Sequence, residues 1–240
     1  MKCGTRSLAV LGALALSAMG LVPAAWAADT SQSGEASPGL VDTPIPDIQA
    51  VGEGDDSAMV GATVTTVGVV TAAYPAAESG LGATLDGYTI QTPGSGGAWE
   101  PGRTRSDGLF IYAGKKGEVP AAGTCVRVTG TVGEFPATSA KGNPQSLTQL
   151  AATSVSVVEG CQAPTPIPAS RVPTPDEAEA HESMLLAPQG TWTITDNYQT
   201  NQYGTLTLTP GESPLRSATD VVAPGQAARD YEAANAARAI

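Results

Sequence analysis

IPDIQAVGEGDDSAMVGATVTTVGVVTA, residues 45–72, decides the fold of this chain. It reads as a short leader, a polar turn and a long strand. From Thr63 to Thr71 threonine and valine dominate, and β-branched side chains suit a pleated, half-buried surface. Gly68 interrupts the run, and a glycine inside a strand pattern marks a bulge or a bend. The stretch VTTVGVVTAAYP at 64–75 is echoed by VRVTGTVGEFP at 126–136, each with valines, a central glycine, another valine and a closing proline.

Working outward, the pattern predicts five strands, at 63–73, 87–92, 107–113, 125–135 and 147–159, the last with a break at Ala151–Ala152. Turn residues separate them, including the glycine-rich TPGSGGAWEPGRTRS at 92–106 and the Lys141–Gly142–Asn143–Pro144 turn. Glycines and Pro120 argue against a helix in AGKKGEVPAAGT at 113–124. The expectation is a mainly β chain, with an OB-like five-stranded Greek-key barrel over 44–161. A Pro-rich linker or strap follows at 162–175, then a hairpin-and-helix extension at 176–240. Within that extension Asp176 to Leu186 reads as one helix, with Asp176 as cap and Glu179 three residues on. TWTIT at 191–195 and GTLTLT at 204–209 alternate as a hairpin. The tail at 227–239 has helical composition.

The first 27 residues have the layout of a secretory signal. Lys2 and Arg6 supply a basic start, Leu8 to Val22 an apolar run, and Ala25–Trp26–Ala27 a cleavage site. The apolar run is shorter than the roughly 20 residues a membrane-spanning helix needs, and no later segment approaches that length. Residues 28–43 read as a disordered leader rich in Ser, Gly and acids. The chain is therefore expected to be secreted, with no membrane anchor. Losing the signal removes two cations and takes the net charge from −11 to −13. So acidic a body repels phosphate backbones and argues against a strong free-standing nucleic-acid binder.

Two cysteines remain after the signal, Cys125 and Cys161. They are expected to bridge in an oxidising compartment; two separate thiols or one intermolecular link are the alternatives. Neither has a CxxC partner or a neighbouring histidine, so no zinc site is expected.

Catalytic chemistry is sparse. His181 is the single histidine, flanked by Glu179 and Glu182 on the expected helix, and reads as a solvated surface residue. No HExxH, GxSxG or phosphate-cradling loop occurs. Glu53, Asp55 and Asp56 lack the spacing of a calcium loop and read as a solvated turn. Asp196–Asn197–Tyr198 reads as a hairpin turn. No catalytic or metal-binding residue is assigned. The best binding patch is on the third strand, where Leu109 and Ile111 alternate with Phe110 and Tyr112. If the aliphatics point inward, Phe110 and Tyr112 face out beside Arg103, Arg105, Lys115 and Lys116. Stacking aromatics with nearby cations suit single-stranded nucleic acid; structural packing of the two aromatics is the competing reading.

Several segments together carry a family likeness. The opening stretch, SDGLFIYAG (106–114), CVRVTGTVGEF (125–135), SLTQL (146–150) and MLLAPQGTWTITDNYQTNQYGTLTLTPG (184–211) resemble the N-terminal region of secreted bacterial endonucleases of the ExeM/NucH type. His181–Glu182–Ser183–Met184 stands where that family often has an aromatic, Glu, Gly and Met, so Ser183 departs from its pattern. In that family an OB-like domain precedes an endonuclease/exonuclease/phosphatase domain that hydrolyses DNA. The resemblance implies a non-catalytic N-terminal portion of a secreted nuclease, positioning nucleic acid or bracing the catalytic domain. It implies weak contact with single- or double-stranded DNA and an intramolecular nuclease domain as partner. Its divalent metal (Mg²⁺, Mn²⁺ or Ca²⁺) would belong to that domain, with no cofactor in these 240 residues. The alternatives are a stand-alone exported module for nucleic acid or oligosaccharide, and a structural spacer.

Overall fold

β-Branched runs do form the strands expected of them. The computed structural model describes residues 41–52, 56–75, 85–135 and 146–240. The signal, most of the expected leader, Glu53, Asp55 and the 141–144 turn lie outside those residues. β1 (Thr63–Tyr74), β2 (Gly87–Gln91), β3 (Gly108–Tyr112), β4 (Cys125–Phe135) and β5 (Leu147–Val157) make one sheet. They pair in the cyclic order β1-β2-β3-β5-β4, closed by β4 against β1. All pairings are antiparallel except β3 with β5, a short parallel contact from Phe110↔Gln149 to Tyr112↔Ala151. The two echoing sequences are thus neighbours, running antiparallel from Thr63↔Thr131 to Val69↔Cys125.

The bulge in β1 is not at Gly68. The ladder runs straight through Gly68↔Val126, and the irregularity falls between Val70 and Ala72. Gly68 is needed for space, because a Cβ there would lie 2.9 Å from Ile90 Cβ and Cδ1. β5 is likewise unbroken at Ala151–Ala152; its irregularity lies opposite Thr129/Gly130, where Thr153 Oγ1 bonds the Thr129 carbonyl.

Inside the ring, Val64, Val70, Tyr88, Ile90, Leu109, Ile111, Val126, Val128, Val132 and Leu150 form the core. Ile45 and Ile48 join it from α1 (Ile45–Ile48), where the sequence suggested only a leader. Each is almost fully buried, worth about 2 kcal/mol apiece. The chain is ordered still earlier: Thr43 N donates to the Thr65 carbonyl, and Asp42 pairs with Arg127 at 2.7 Å. The disulfide Cys125–Cys161 is present, with Cα atoms 6.0 Å apart, and ties the start of β4 to the chain leaving β5.

Beyond the sheet, the Pro-rich segment is a strap. β6 (Ile167–Ala169) buries Ile167 and Ala169 and pairs in parallel with β7 (Leu186–Pro188). The expected helix at 176–186 is shorter and differently capped. α2 (Pro175–Glu179) starts from Thr174, with Glu177 as its capping-box partner. Ser183, at φ +58°, turns the chain away before Leu186. β8 (Trp192–Asp196) and β9 (Thr207–Pro210) form the expected hairpin around α3 (Thr200–Tyr203). α4 (Gln226–Ala236) follows, and Ile240 exchanges two backbone hydrogen bonds with Leu208 of β9. Leu40–Ile240 is one compact unit. Among the described residues no helix is long and apolar enough to cross a membrane.

Candidate functional site

Two constellations stand out, and both involve the turn after α2. The first is a buried polar clasp. Gly108 opens β3 without a side chain, where a Cβ would lie 2.5 Å from the Glu182 carbonyl oxygen. The 182–184 turn can therefore lie directly on the strand. Ser106 Oγ donates to that carbonyl at 2.6 Å, and Gln49 Nε2 donates both to the Gly108 carbonyl (2.7 Å) and to Glu182 Oε1 (3.1 Å). The same Oε1 accepts Thr148 N at 3.2 Å. Thr148 Oγ1 reaches Glu134 Oε1 at 3.0 Å, which also accepts Ser57 N at 2.8 Å. On the neighbouring strand, buried Gln91 takes the Leu185 N–H at 3.0 Å.

Burial pushes the Glu182 carboxyl up to about 8; Glu179 and Glu134 push the same way, against the donors from Gln49 and Thr148. The group is best regarded as a protonated acid at neutral pH, which makes its approach to Glu134 inexpensive. Among the described residues no group of three or more His, Cys, Asp or Glu gathers as a metal site.

The second constellation is a cleft of about 260 Å³ lined by Trp99, Pro168, Ala169, Ser170 and Arg171. The 93–99 loop is held to the strap through Gly94 N to the Gln162 carbonyl, Gly97 N to the Thr165 carbonyl and Thr165 N to the Ser95 carbonyl, each 2.9 Å. Gly96 permits this, with φ +89° and its missing Cβ otherwise 2.0 Å from the Thr165 carbonyl oxygen. Trp99 stacks on His181 with ring centroids 4.4 Å apart, and the Arg171 guanidinium lies 5.3 Å from the indole centroid. Glu177 holds both partners: its carbonyl bonds His181 Nδ1 at 2.6 Å, and its carboxylate takes Arg171 in a two-pronged pair at 2.6 and 2.7 Å. That pairing, reinforced by the Thr174 N–H, draws the Glu177 carboxyl down to about 2.

The expected nucleic-acid patch is divided by the structure. Leu109 and Ile111 enter the core, and Phe110 is buried as well, in line with the structural-packing reading; its ring covers Gly87, where a Cβ would lie 2.7 Å from Cζ. Tyr112 is exposed, as are Lys115 and Lys116. Arg103 is tied to Asp107 at 2.7 Å and Glu100 at 3.0 Å, and Arg105 to Asp47 at 3.0 Å. His181 is also a correction: it is 5% exposed beneath Trp99, not solvated. Asp56, from the acidic turn, accepts Ser146 Oγ at 3.0 Å. The residues the sequence did not single out are Trp99, Arg171, Glu177, Gln49 and Glu134. For the cleft, a lone tryptophan in a glycine-rich loop was the available signal.

No protein-family description matches the chain, and no curated protein matches it.

Proposed function

We infer that this chain is the non-catalytic N-terminal portion of a secreted, metal-dependent nuclease, an OB-like barrel whose extension is braced to lead into the catalytic domain. The observation that carries the reading is the clasp. SDGLFIY, GEF and SLTQL, from segments on which the resemblance rests, lie apart in sequence from one another and from HESM, the stretch that departs from the family pattern at Ser183. Their Ser106, Gly108, Glu134, Thr148 and Glu182 meet in one hydrogen-bonded cluster. A cluster joining the strand ends to the post-barrel turn fixes the direction in which the chain leaves the barrel. The cyclic strand order with its parallel β3–β5 contact fits a five-stranded Greek-key barrel. The Cys125–Cys161 bridge fits export to an oxidising compartment.

Of the two roles the resemblance implies, bracing is favoured over positioning nucleic acid. Phe110 has no free face for a base, and Arg103 and Arg105 are already neutralised by carboxylates. DNA contact, if made, would rest on Tyr112, Lys115 and Lys116, too few cations for strong phosphate binding. The test is to read the coding sequence past codon 240. A continuing frame with paired histidines and Asp/Asn clusters is the expected result. A stop within a few codons would overturn the reading and leave a stand-alone module.

A further inference from the structure

The Trp99 cleft is independent of the nuclease reading and has the chemistry of a binding site. Trp99 and Pro168 give it an apolar wall, and Ser170 adds an exposed hydroxyl. The Arg171–Glu177 pair borders it with both donors and acceptors. Arg171 donates two hydrogen bonds to Glu177 and one to the Val172 carbonyl, while a guanidinium carries five N–H groups. Its side chain is 55% exposed, so the remaining donors face water. The Glu177 carboxylate accepts one bond at Oε1 and three at Oε2, which leaves acceptor capacity at Oε1.

The charge of the site decides the class of ligand. A guanidinium meant for phosphate needs its positive charge available, but here Glu177 cancels it through a two-pronged pair. The whole chain, at −11, adds to the penalty for an anion. A neutral ligand with an apolar side and several hydroxyls meets no such penalty: hydroxyls both donate to Glu177 and accept from Arg171, and its C–H groups pack against the wall made by Trp99 and Pro168. The volume accommodates one ring, not an extended helix or strand. The site is also rigid before binding, because Trp99 rests on buried His181 and the same Glu177 anchors His181 and Arg171. Preorganisation of this kind lowers the entropy cost of binding.

We propose that the cleft between the 93–99 loop and the 168–171 strap binds a sugar ring of a neutral oligosaccharide, with Trp99 and Pro168 as its apolar wall and the Arg171–Glu177 pair as its hydroxyl-binding group. The test is tryptophan fluorescence of the full exported chain in a Trp192→Phe background, titrated with maltohexaose, cellohexaose and chitohexaose. The expected result is a saturable change with at least one of them, with Kd on the order of 1 mM, as suits a single small site. Binding should weaken about tenfold or more in Arg171→Gln, read from the unchanged Trp99, and in Trp99→Ala, read by calorimetry. Arg171→Gln leaves the barrel core and the Trp99–His181 stack intact, so a folded variant is available; circular dichroism checks it. No saturable response to any of the three sugars would overturn the proposal, as would equal affinity in both variants. A twelve-residue oligothymidylate that binds in their place, weakening with salt, would overturn it in favour of a nucleobase site. None of these outcomes bears on whether a nuclease domain follows residue 240.

Discussion

Ser183 and Glu182 hold neighbouring positions in the clasp and carry opposite lessons about local cost. Ser183 sits at φ +58°, a conformation that costs a side-chain-bearing residue about 1 kcal/mol and glycine almost nothing. Ser183→Gly should therefore stabilise the protein by about 1 kcal/mol, raising Tm by roughly 3 °C in a thermal melt. The sequence marked this position, since the family it resembles often has glycine there, but the backbone angle supplies the reason. Glu182 has its carboxyl raised by burial from 4.5 to about 8. The folded state keeps a proton that the unfolded chain releases above its ordinary value, so stability falls as pH rises from about 4.5 to about 8 and levels off beyond. Glu182→Gln keeps an oxygen for the Gln49 and Thr148 donors and has no proton to lose. Its chemical-denaturation midpoint should lack most of that decline, and the variant should be the more stable protein at pH 8.5. An equal slope in both proteins would mean that Glu182 is ionised in the fold.

At the scale of elements, β-branched periodicity was a good guide where one side chain after another meets the core. β4 occupies the stretch its valines and threonines indicated, and the hairpin of β8 and β9 follows its alternation. The signal failed where spacing depends on a partner strand. Gly68 looked like the bulge, yet Thr71 is the extra residue, because Gly68 makes room for Ile90 instead. It failed again at α2, where a Pro175 start and the Glu177 box shift the cap to Thr174. The disulfide was legible from compartment and count, and its effect follows from the loop it closes. With the cysteines 36 positions apart, the chain-entropy estimate is about 4 kcal/mol. Cys125→Ser with Cys161→Ser should lower Tm by roughly 10 °C, with no further loss on adding reductant. Val158 N still bonds the Cys125 carbonyl in the ladder, so the barrel should remain folded. A melt unchanged from the parent would show that the bridge contributes nothing to stability.

Over the whole molecule, charge placement was the feature least legible in sequence. Arg105 and Asp47 are 58 positions apart, and only the closed sheet brings them within 3.0 Å. The candidate basic edge was therefore read from its cations alone and lost two of them to carboxylates once the fold was known. For Phe110 the sequence left ligand stacking and structural packing both open, and burial selects packing, because in β3 both faces are covered along most of its length. The clasp was not legible, because it joins Gln49 at the end of α1 to residues of β3, β4, β5 and the turn after α2. The β module has one histidine, buried under a tryptophan, and the proposed function predicts that the chain does not itself cut nucleic acid. The direct measurement is to incubate the purified exported chain with supercoiled plasmid in Mg²⁺, Mn²⁺ or Ca²⁺, beside a chelator control. Plasmid as intact as in the control is expected with every metal; metal-dependent nicking that co-purifies with the chain would contradict the proposed function.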